Sequence, residues 1–275
     1  MELFDTHCHL DDEAFTEDLP EVIRAAERAG VRQMLTQGTT LKSSRTCIRL
    51  AETYASVFAA VAIHPNCILE DFPDPEAGMG AFLPQFLPLT EHPRVRAIGE
   101  TGLDEHWDDT PLEVQKAYLK LHLALARQSG LPVILHCREA ESALLEVLRD
   151  DFQHQGPVPG IVHSFSGDTV FLRACLELGL HISYSGSVTF TNKKLARLRE
   201  TVPQVPADKI LVETDSPYLT PMPFRGKISR NSPEQVIHTA AFLAQLRGED
   251  SEIFARQTTQ NAEALFGCSA SSEKV

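Results

Sequence analysis

Thr110-Pro-Leu-Glu-Val-Gln-Lys-Ala-Tyr-Leu-Lys-Leu-His-Leu-Ala-Leu-Ala-Arg-Gln-Ser-Gly-Leu-Pro-Val-Ile-Leu-His-Cys137 carries a helix and a strand in one run. Thr110 and Glu113 stand at capping-box spacing, with Pro111 at the first helical position. Leu112, Leu119, Leu123 and Ala126 recur at helical spacing, and Gly130 followed by Pro132 stops the helix. Val133-Ile-Leu-His-Cys137 then reads as a short buried strand with His136 near its end.

The same alternation extends in both directions. Strand-like runs fall at 2–9, 32–37, 57–63, 95–100, 133–137, 160–164, 181–185 and 210–215. Helical patterns occupy 16–29, 41–55, 139–150, 168–179 and 249–266, and Ser232-Pro-Glu-Gln235 repeats the capping device with Gly248 as its stop. Strands alternating with helices predict a parallel sheet, and eight is the number that closes a (β/α)8 TIM barrel. The expected organisation is one α/β domain over 1–267 and a disordered tail over 268–275.

The 275 residues suffice for one full core, and 43% hydrophobic with 23% charged residues is ordinary for a globular chain. Met1 to Leu10 show no basic stretch followed by an apolar one, and no apolar run has the length of a membrane span. A cytoplasmic location without membrane association is therefore expected. Six cysteines without a Cys-x-x-Cys pair support neither a disulfide framework nor a structural zinc site. A net charge of −13 argues against broad attraction to a polyanion, so positive charge facing nucleic acid would have to be local.

Metal-capable side chains fall at the predicted strand ends: His7 and His9 on the first, Glu100 on the fourth, His136 on the fifth, His163 on the sixth and Asp215 on the eighth. In a barrel those ends converge on one face, where active sites sit. His7 and His9 are one residue apart and share a strand face, so both imidazoles can reach one ion, with Asp215 completing the set. His136 and His163 can hold a second ion, and Glu100 has two oxygens with which to bridge. Two divalent ions roughly 3.5–4 Å apart can activate water and stabilise a departing oxygen. Asp215 and Glu100 are thus the catalytic candidates, Asp215 as general base. Expected substrate contacts are His64, before Pro65, and the basic loop of Arg225, Lys227 and Arg230; Glu213 is expected to support a ligand histidine.

Asp5-Thr-His-Cys-His9, His64-Pro65, Gly99-Glu-Thr-Gly-Leu-Asp104, Pro132-Val-Ile-Leu-His136, His163-Ser-Phe-Ser-Gly167, Glu213-Thr-Asp-Ser-Pro-Tyr218 and Pro223-Phe-Arg-Gly-Lys227 form an ordered set. In these segments the chain resembles the TatD-like metal-dependent deoxyribonucleases, a branch of the amidohydrolase-like TIM barrels, from Phe4 to about Phe266. The resemblance implies a 3′→5′ exonuclease acting on DNA, single-stranded or at 3′ ends, with Mg2+, Mn2+ or Zn2+. It implies His7, His9, Glu100, His136, His163 and Asp215 as ligands. The departures, Asn66, the 104–109 loop and Ile228-Ser229, lie near where substrate would enter.

Two alternatives stay open: hydrolysis of a small amide, lactone or phosphoester, which the acidic charge favours, and a catalytically silent binding protein. Taken singly, His92, His122, His154, His181 and His238 read as structural, and His106 and Trp107 as a surface loop. Cys8 and Cys137 point away from the ligand face into the packing layer.

Overall fold

The structure, a computed structural model, describes residues 1–192 and 195–268. Its strands are β1 (Leu3–Cys8), β2 (Val31–Gln37), β3 (Val57–Ala60), β4 (Val95–Asp104), β5 (Val133–Arg138), β6 (Gly160–Val162), β7 (His181–Tyr184) and β8 (Ile210–Val212). They form one sheet in chain order, β1 to β8. Pairing is parallel between β1 and β2, between β3 and β4, between β4 and β5, between β5 and β6, and between β7 and β8. Every residue of β1, β3, β6 and β8 is buried, as expected of parallel strands covered on both faces.

The helices are α1 (Leu19–Ala29), α2 (Leu41–Thr53), α3 (Ile68–Asp71), α4 (Pro75–Thr90), α5 (Leu112–Ser129), α6 (Glu141–Gln155), α7 (Thr169–Glu177), α8 (Ala196–Thr201), α9 (Val236–Arg247) and α10 (Ser251–Phe266). Gly130 and Gly248 end α5 and α9 in the left-handed conformation, as their positions predict. Among the described residues no helix is long and apolar enough to cross a membrane.

Both expected capping boxes fail. Thr110 Oγ1 is buried with no hydrogen-bond partner among the described residues, and Pro111 takes the N-cap position of α5. Gln115 supplies the local order instead: its Nε2 donates to the carbonyls of Asp104 (2.9 Å) and Thr110 (2.8 Å), and its Oε1 accepts from Asp104 N (2.8 Å). Ser232 Oγ donates to Glu234 Oε1 (3.3 Å) rather than capping, and a 3-10 turn, Pro233–Gln235, leads into α9. Helix α4 is not readable from the sequence, because Pro84 and Pro88 lie inside it and each removes a backbone donor. It forms because Asp74 Oδ1 caps Ala77 N (3.2 Å) and because Phe82 and Phe86 are fully buried, their rings stacked at 4.8 Å.

Strand ends differ from expectation where ligands sit. β4 continues to Asp104, so Glu100 lies within it rather than at its end, and His136 likewise lies inside β5. His9, His163 and Asp215 follow directly after or close behind β1, β6 and β8. Cys268, expected to begin the tail, is buried, and its carbonyl accepts from Gln33 Nε2 (3.1 Å); residues 269–275 lie outside the described set.

Two compact units are distinguished along the chain. The first comprises Met1–Thr36, His163–Arg173 and the chain from His181 onward. Within it the last strand returns to the first: Asp215 N donates to His7 O (2.9 Å), His9 N donates to Ser216 O (2.8 Å), and Cys8 and Ser216 form a parallel bridge. The second comprises Gln37–Val162 and Ala174–Leu180 and contains β3 through β6. There the fully buried His122 of α5 is bonded through both ring nitrogens. Nδ1 lies 2.7 Å from the Tyr118 carbonyl, and Nε2 accepts from Ile63 N at 3.0 Å, which fixes the residue before His64.

Burial pushes the His122 pKa down from 6.5 to about 4, against the Tyr118 carbonyl, which raises it. The folded state therefore holds a neutral imidazole while the unfolded chain still takes up a proton. This contribution is complete above pH 6.5 and is lost as pH falls toward 4. It amounts to about 3 kcal/mol at most. Urea denaturation across this pH range should show stability falling on acidification, and His122→Gln should remove that part of the slope while lowering stability at neutral pH. An unchanged slope in the variant would assign the acid sensitivity elsewhere.

Candidate metal centre

The end of β1 and the segment after β8 carry the first cluster. His7 Nε2 and His9 Nε2 are 3.3 Å apart, and Asp215 Oδ1 lies 3.4 Å from His9 Nε2 and 3.7 Å from His7 Nε2. The two histidines meet because residues two apart on an extended chain face the same side. Asp215 reaches them because its backbone is left-handed (φ 56°), a conformation Asp tolerates, in the turn directly after the β1–β8 contact. Burial pushes the Asp215 carboxyl up, but the hydrogen bond from His9 and the charges of His7 and His163 outweigh it and hold the group below its ordinary range. It is therefore ionised. Its neighbour His163 stacks on the His7 ring at 3.9 Å, and Nδ1 of His163 lies 3.3 Å from Glu213 Oε1, which also accepts from Ser164 N (2.7 Å).

The second cluster is formed by His64, Glu100 and His136. His136 Nδ1 is 2.9 Å from Glu100 Oε1, and its Nε2 is 2.9 Å from Asp104 Oδ2. A histidine held by a carboxylate on one nitrogen, with the other turned to a second acidic group, is the arrangement of ligand histidines. His64 differs. Its Nδ1 accepts from Asn66 N (3.2 Å), so in the neutral ring the proton sits on Nε2, 3.6 Å from Glu100 Oε1. His64 is placed among ligands but presents a donor, which suits an anion better than a cation. In each cluster the candidate ligand atoms lie within 4.8 Å of one another. Mixed imidazole and carboxylate donors fit a divalent ion of the zinc or manganese type.

Residues 4–267 match the family described as TatD related DNase. The chain belongs to that family. It is 37% identical over 264 residues to the "uncharacterized metal-dependent hydrolase YabD" of Bacillus subtilis, covering 96% of this chain and 98% of that protein. It is 34% identical to the "3'-5' ssDNA/RNA exonuclease TatD" of Klebsiella pneumoniae over 268 residues, with the same coverage. Among solved structures it is similar to YJJV, a TatD homolog from Escherichia coli K12, at 31% identity and a TM-score of 0.86, covering 97% of this chain and 98% of that one. The fold is thus the TIM barrel of the TatD family, and the chain is a metal-dependent hydrolase.

In this TatD-family chain the expected basic loop divides. Arg225 is exposed and stacks over the Phe190 ring at 3.7 Å, and Lys227 is exposed. Arg230 is engaged otherwise: Nη2 donates to both oxygens of Asp18 (2.6 Å each), Nη1 donates to Ala14 O, and the guanidinium lies over Phe15. Its charge is paired within the fold, so the expectation of a phosphate contact passes to Arg225 and Lys227. Glu213 stands beside His163, a candidate ligand. His106 pairs with Glu139 (2.8 Å), and Trp107 is exposed with Arg138 5.5 Å above its ring.

Two carboxylates escaped the sequence reading. Asp5 is fully buried; Oδ1 accepts from Thr214 N (2.8 Å) and His7 N (3.4 Å), and Oδ2 accepts from Thr214 Oγ1 (2.6 Å). Asp104 accepts from His106 N (2.9 Å) and Trp107 N (3.0 Å) as well as facing His136. His136, His106 and Trp107 together outweigh the upward push of burial and hold the Asp104 carboxyl well below its usual range. Both lie in conspicuous segments, Asp5-Thr-His-Cys-His9 and Gly99-Glu-Thr-Gly-Leu-Asp104. Their partners, however, lie far along the chain.

Gly102 faces His136 across the β4–β5 pair with φ 139°, and a Cβ there would stand 2.0 Å from the His136 carbonyl oxygen. Gly102→Ala should therefore push β5 away from β4 at the ligand position and cost about 3 kcal/mol. Chemical denaturation together with zinc-titration calorimetry checks this. A variant with native stability and native zinc affinity would show that the contact does not hold His136 in place.

Proposed function

We propose that the chain is a nuclease that hydrolyses phosphodiester bonds of single-stranded DNA from the 3′ end. His7, His9, Glu100, His136, His163 and Asp215 would hold two divalent ions, Mg2+, Mn2+ or Zn2+. The observation that carries the reading is the His7–His9–Asp215 cluster, where two imidazole nitrogens and a carboxylate oxygen lie within 3.7 Å of one another. It stands in a chain 34% identical over nearly its whole length to a relative named as a 3′–5′ exonuclease.

Divalent ions held by these residues would supply positive charge that activates water and offsets the phosphate charge. The chain's own residues do the rest. Asp215 accepts the proton of the attacking water. Glu213 and Asp104 hold the rings of His163 and His136 in one orientation. His64 donates Nε2–H to a non-bridging phosphate oxygen, and Arg225 and Lys227 bind phosphates further along the strand.

End-labelled single-stranded DNA incubated with Mn2+ should shorten from its 3′ end. Asp215→Asn should lower the rate about a thousandfold, within the range of general-base catalysis, while calorimetry still detects metal binding. A variant as active as the native chain would remove Asp215 as the base. Exhaustive chelation should abolish activity, and added metal should restore it; activity that survives chelation overturns the mechanism. Metal-loaded protein that leaves DNA intact but cleaves a small phosphoester or lactone would establish the small-molecule alternative. Arg225→Ala and Lys227→Ala should each raise KM for DNA and make it less salt-dependent. An unchanged salt dependence in both would show that the loop does not bind phosphate.

A further inference from the structure

Beside the His7–His9–Asp215 cluster lies a cleft of about 620 Å³ lined by Asp12, Glu13, Ala14, Pro217 and Tyr218. Tyr218 forms one wall and is 56% exposed, unusual for a large aromatic side chain in a globular chain. Its ring centre is 6.1 Å from that of His9, at a steep interplanar angle of 68°. An exposed ring that close to a candidate ligand is positioned to meet whatever occupies the centre.

The ring is also fixed. Tyr218 N donates to Asp215 O (2.9 Å), Asn231 Nδ2 donates to Tyr218 O (2.6 Å), and Tyr218 Oη donates to Asp12 Oδ2 (3.1 Å). Glu13 and Ala14 of the lining belong to the 3-10 turn Glu13–Phe15, capped by Asp12 through Ala14 N (2.8 Å). Arg230 holds that turn by donating to Ala14 O while paired with Asp18. The arginine expected to bind phosphate thus builds the wall of this cleft.

The lining chemistry selects the occupant. Asp12 and Glu13 repel phosphate but can accept hydrogen bonds from amino groups, and an aromatic wall favours a flat, polarisable partner. A nucleobase meets both conditions. Stacking on a prearranged ring also costs little ordering entropy. We propose that Tyr218 is the stacking platform for a base of the bound strand next to the scissile phosphate. The proposal rests on the nuclease reading and supplies the base contact that reading lacks.

The test uses full-length protein with Mn2+ and a fluorescent single-stranded decanucleotide whose phosphorothioate linkages resist cleavage. In a parallel set each of the last three 3′ nucleotides is made abasic in turn. Tyr218→Ala should weaken binding of the intact strand about tenfold, and Tyr218→Phe should stay within about threefold of native. At one abasic position the native chain should show the same tenfold loss, with no further loss on adding Tyr218→Ala, because both changes remove one contact. Losses that multiply at all three positions, or a Tyr218→Ala variant that binds as tightly as native, would overturn the proposal. Native protein that binds no strand would overturn the nuclease reading and this inference with it. Unchanged melting temperatures in the variants exclude misfolding as the cause.

Discussion

Two peptide hydrogen bonds, from Asp215 N to His7 O and from His9 N to Ser216 O, join the end of β1 to the segment after β8. Each such bond is worth only about 1 kcal/mol net. Their importance is geometric, because they sit between His7 and His9 on one side and flank Asp215 on the other. The carboxylate of Asp5 reinforces the same seam by accepting from both the amide and the hydroxyl of Thr214. Burial raises the Asp5 pKa to about 8, with the nearby Glu213 charge adding to it and the Thr214 hydrogen bonds opposing it. A contact that brings strand eight back to strand one therefore also sets the spacing of three candidate ligands. Ring closure and metal geometry are one constraint here, and a slip of the seam would alter both.

In each of the two clusters an imidazole is organised by an acidic partner. His163 faces Glu213, and His136 faces Asp104. A carboxylate on one ring nitrogen fixes the tautomer and makes the other nitrogen a better donor to a cation. His64 is the informative exception, because its partner on Nδ1 is a backbone amide, which can only donate. The same residue type is thus prepared for different work by the group behind it, an anion in one case and a peptide N–H in the other.

What the sequence makes legible follows from locality. His7 and His9 can be placed together because a period of two is written in three consecutive residues, and Gly130 and Gly248 announce helix ends by position alone. Asp104 and Asp5 could not be read in this way. Their partners His136 and Thr214 are 32 and 209 residues away, and no local pattern marks the pairing. Arg230 is similar: the loop marks it as a cation, but no local pattern marks its pairing with Asp18, 212 residues earlier. Helix α4 fails for a different cause. Its two internal prolines contradict helix propensity, and the burial of Phe82 and Phe86 overrides them.

A net charge of −13 constrains how such a chain can act on a polyanion. Long-range steering would favour departure of the strand rather than its approach. Attraction must then arise within a few ångströms, where bound cations and single arginines act at short range and salt screens them less. Of the three cations Arg225, Lys227 and Arg230, one is already paired with Asp18. Few phosphate contacts imply a shallow salt dependence and leave uncharged contacts to supply much of the affinity. An exposed aromatic ring such as Tyr218, beside His9, would be such a contact, and it adds no long-range attraction.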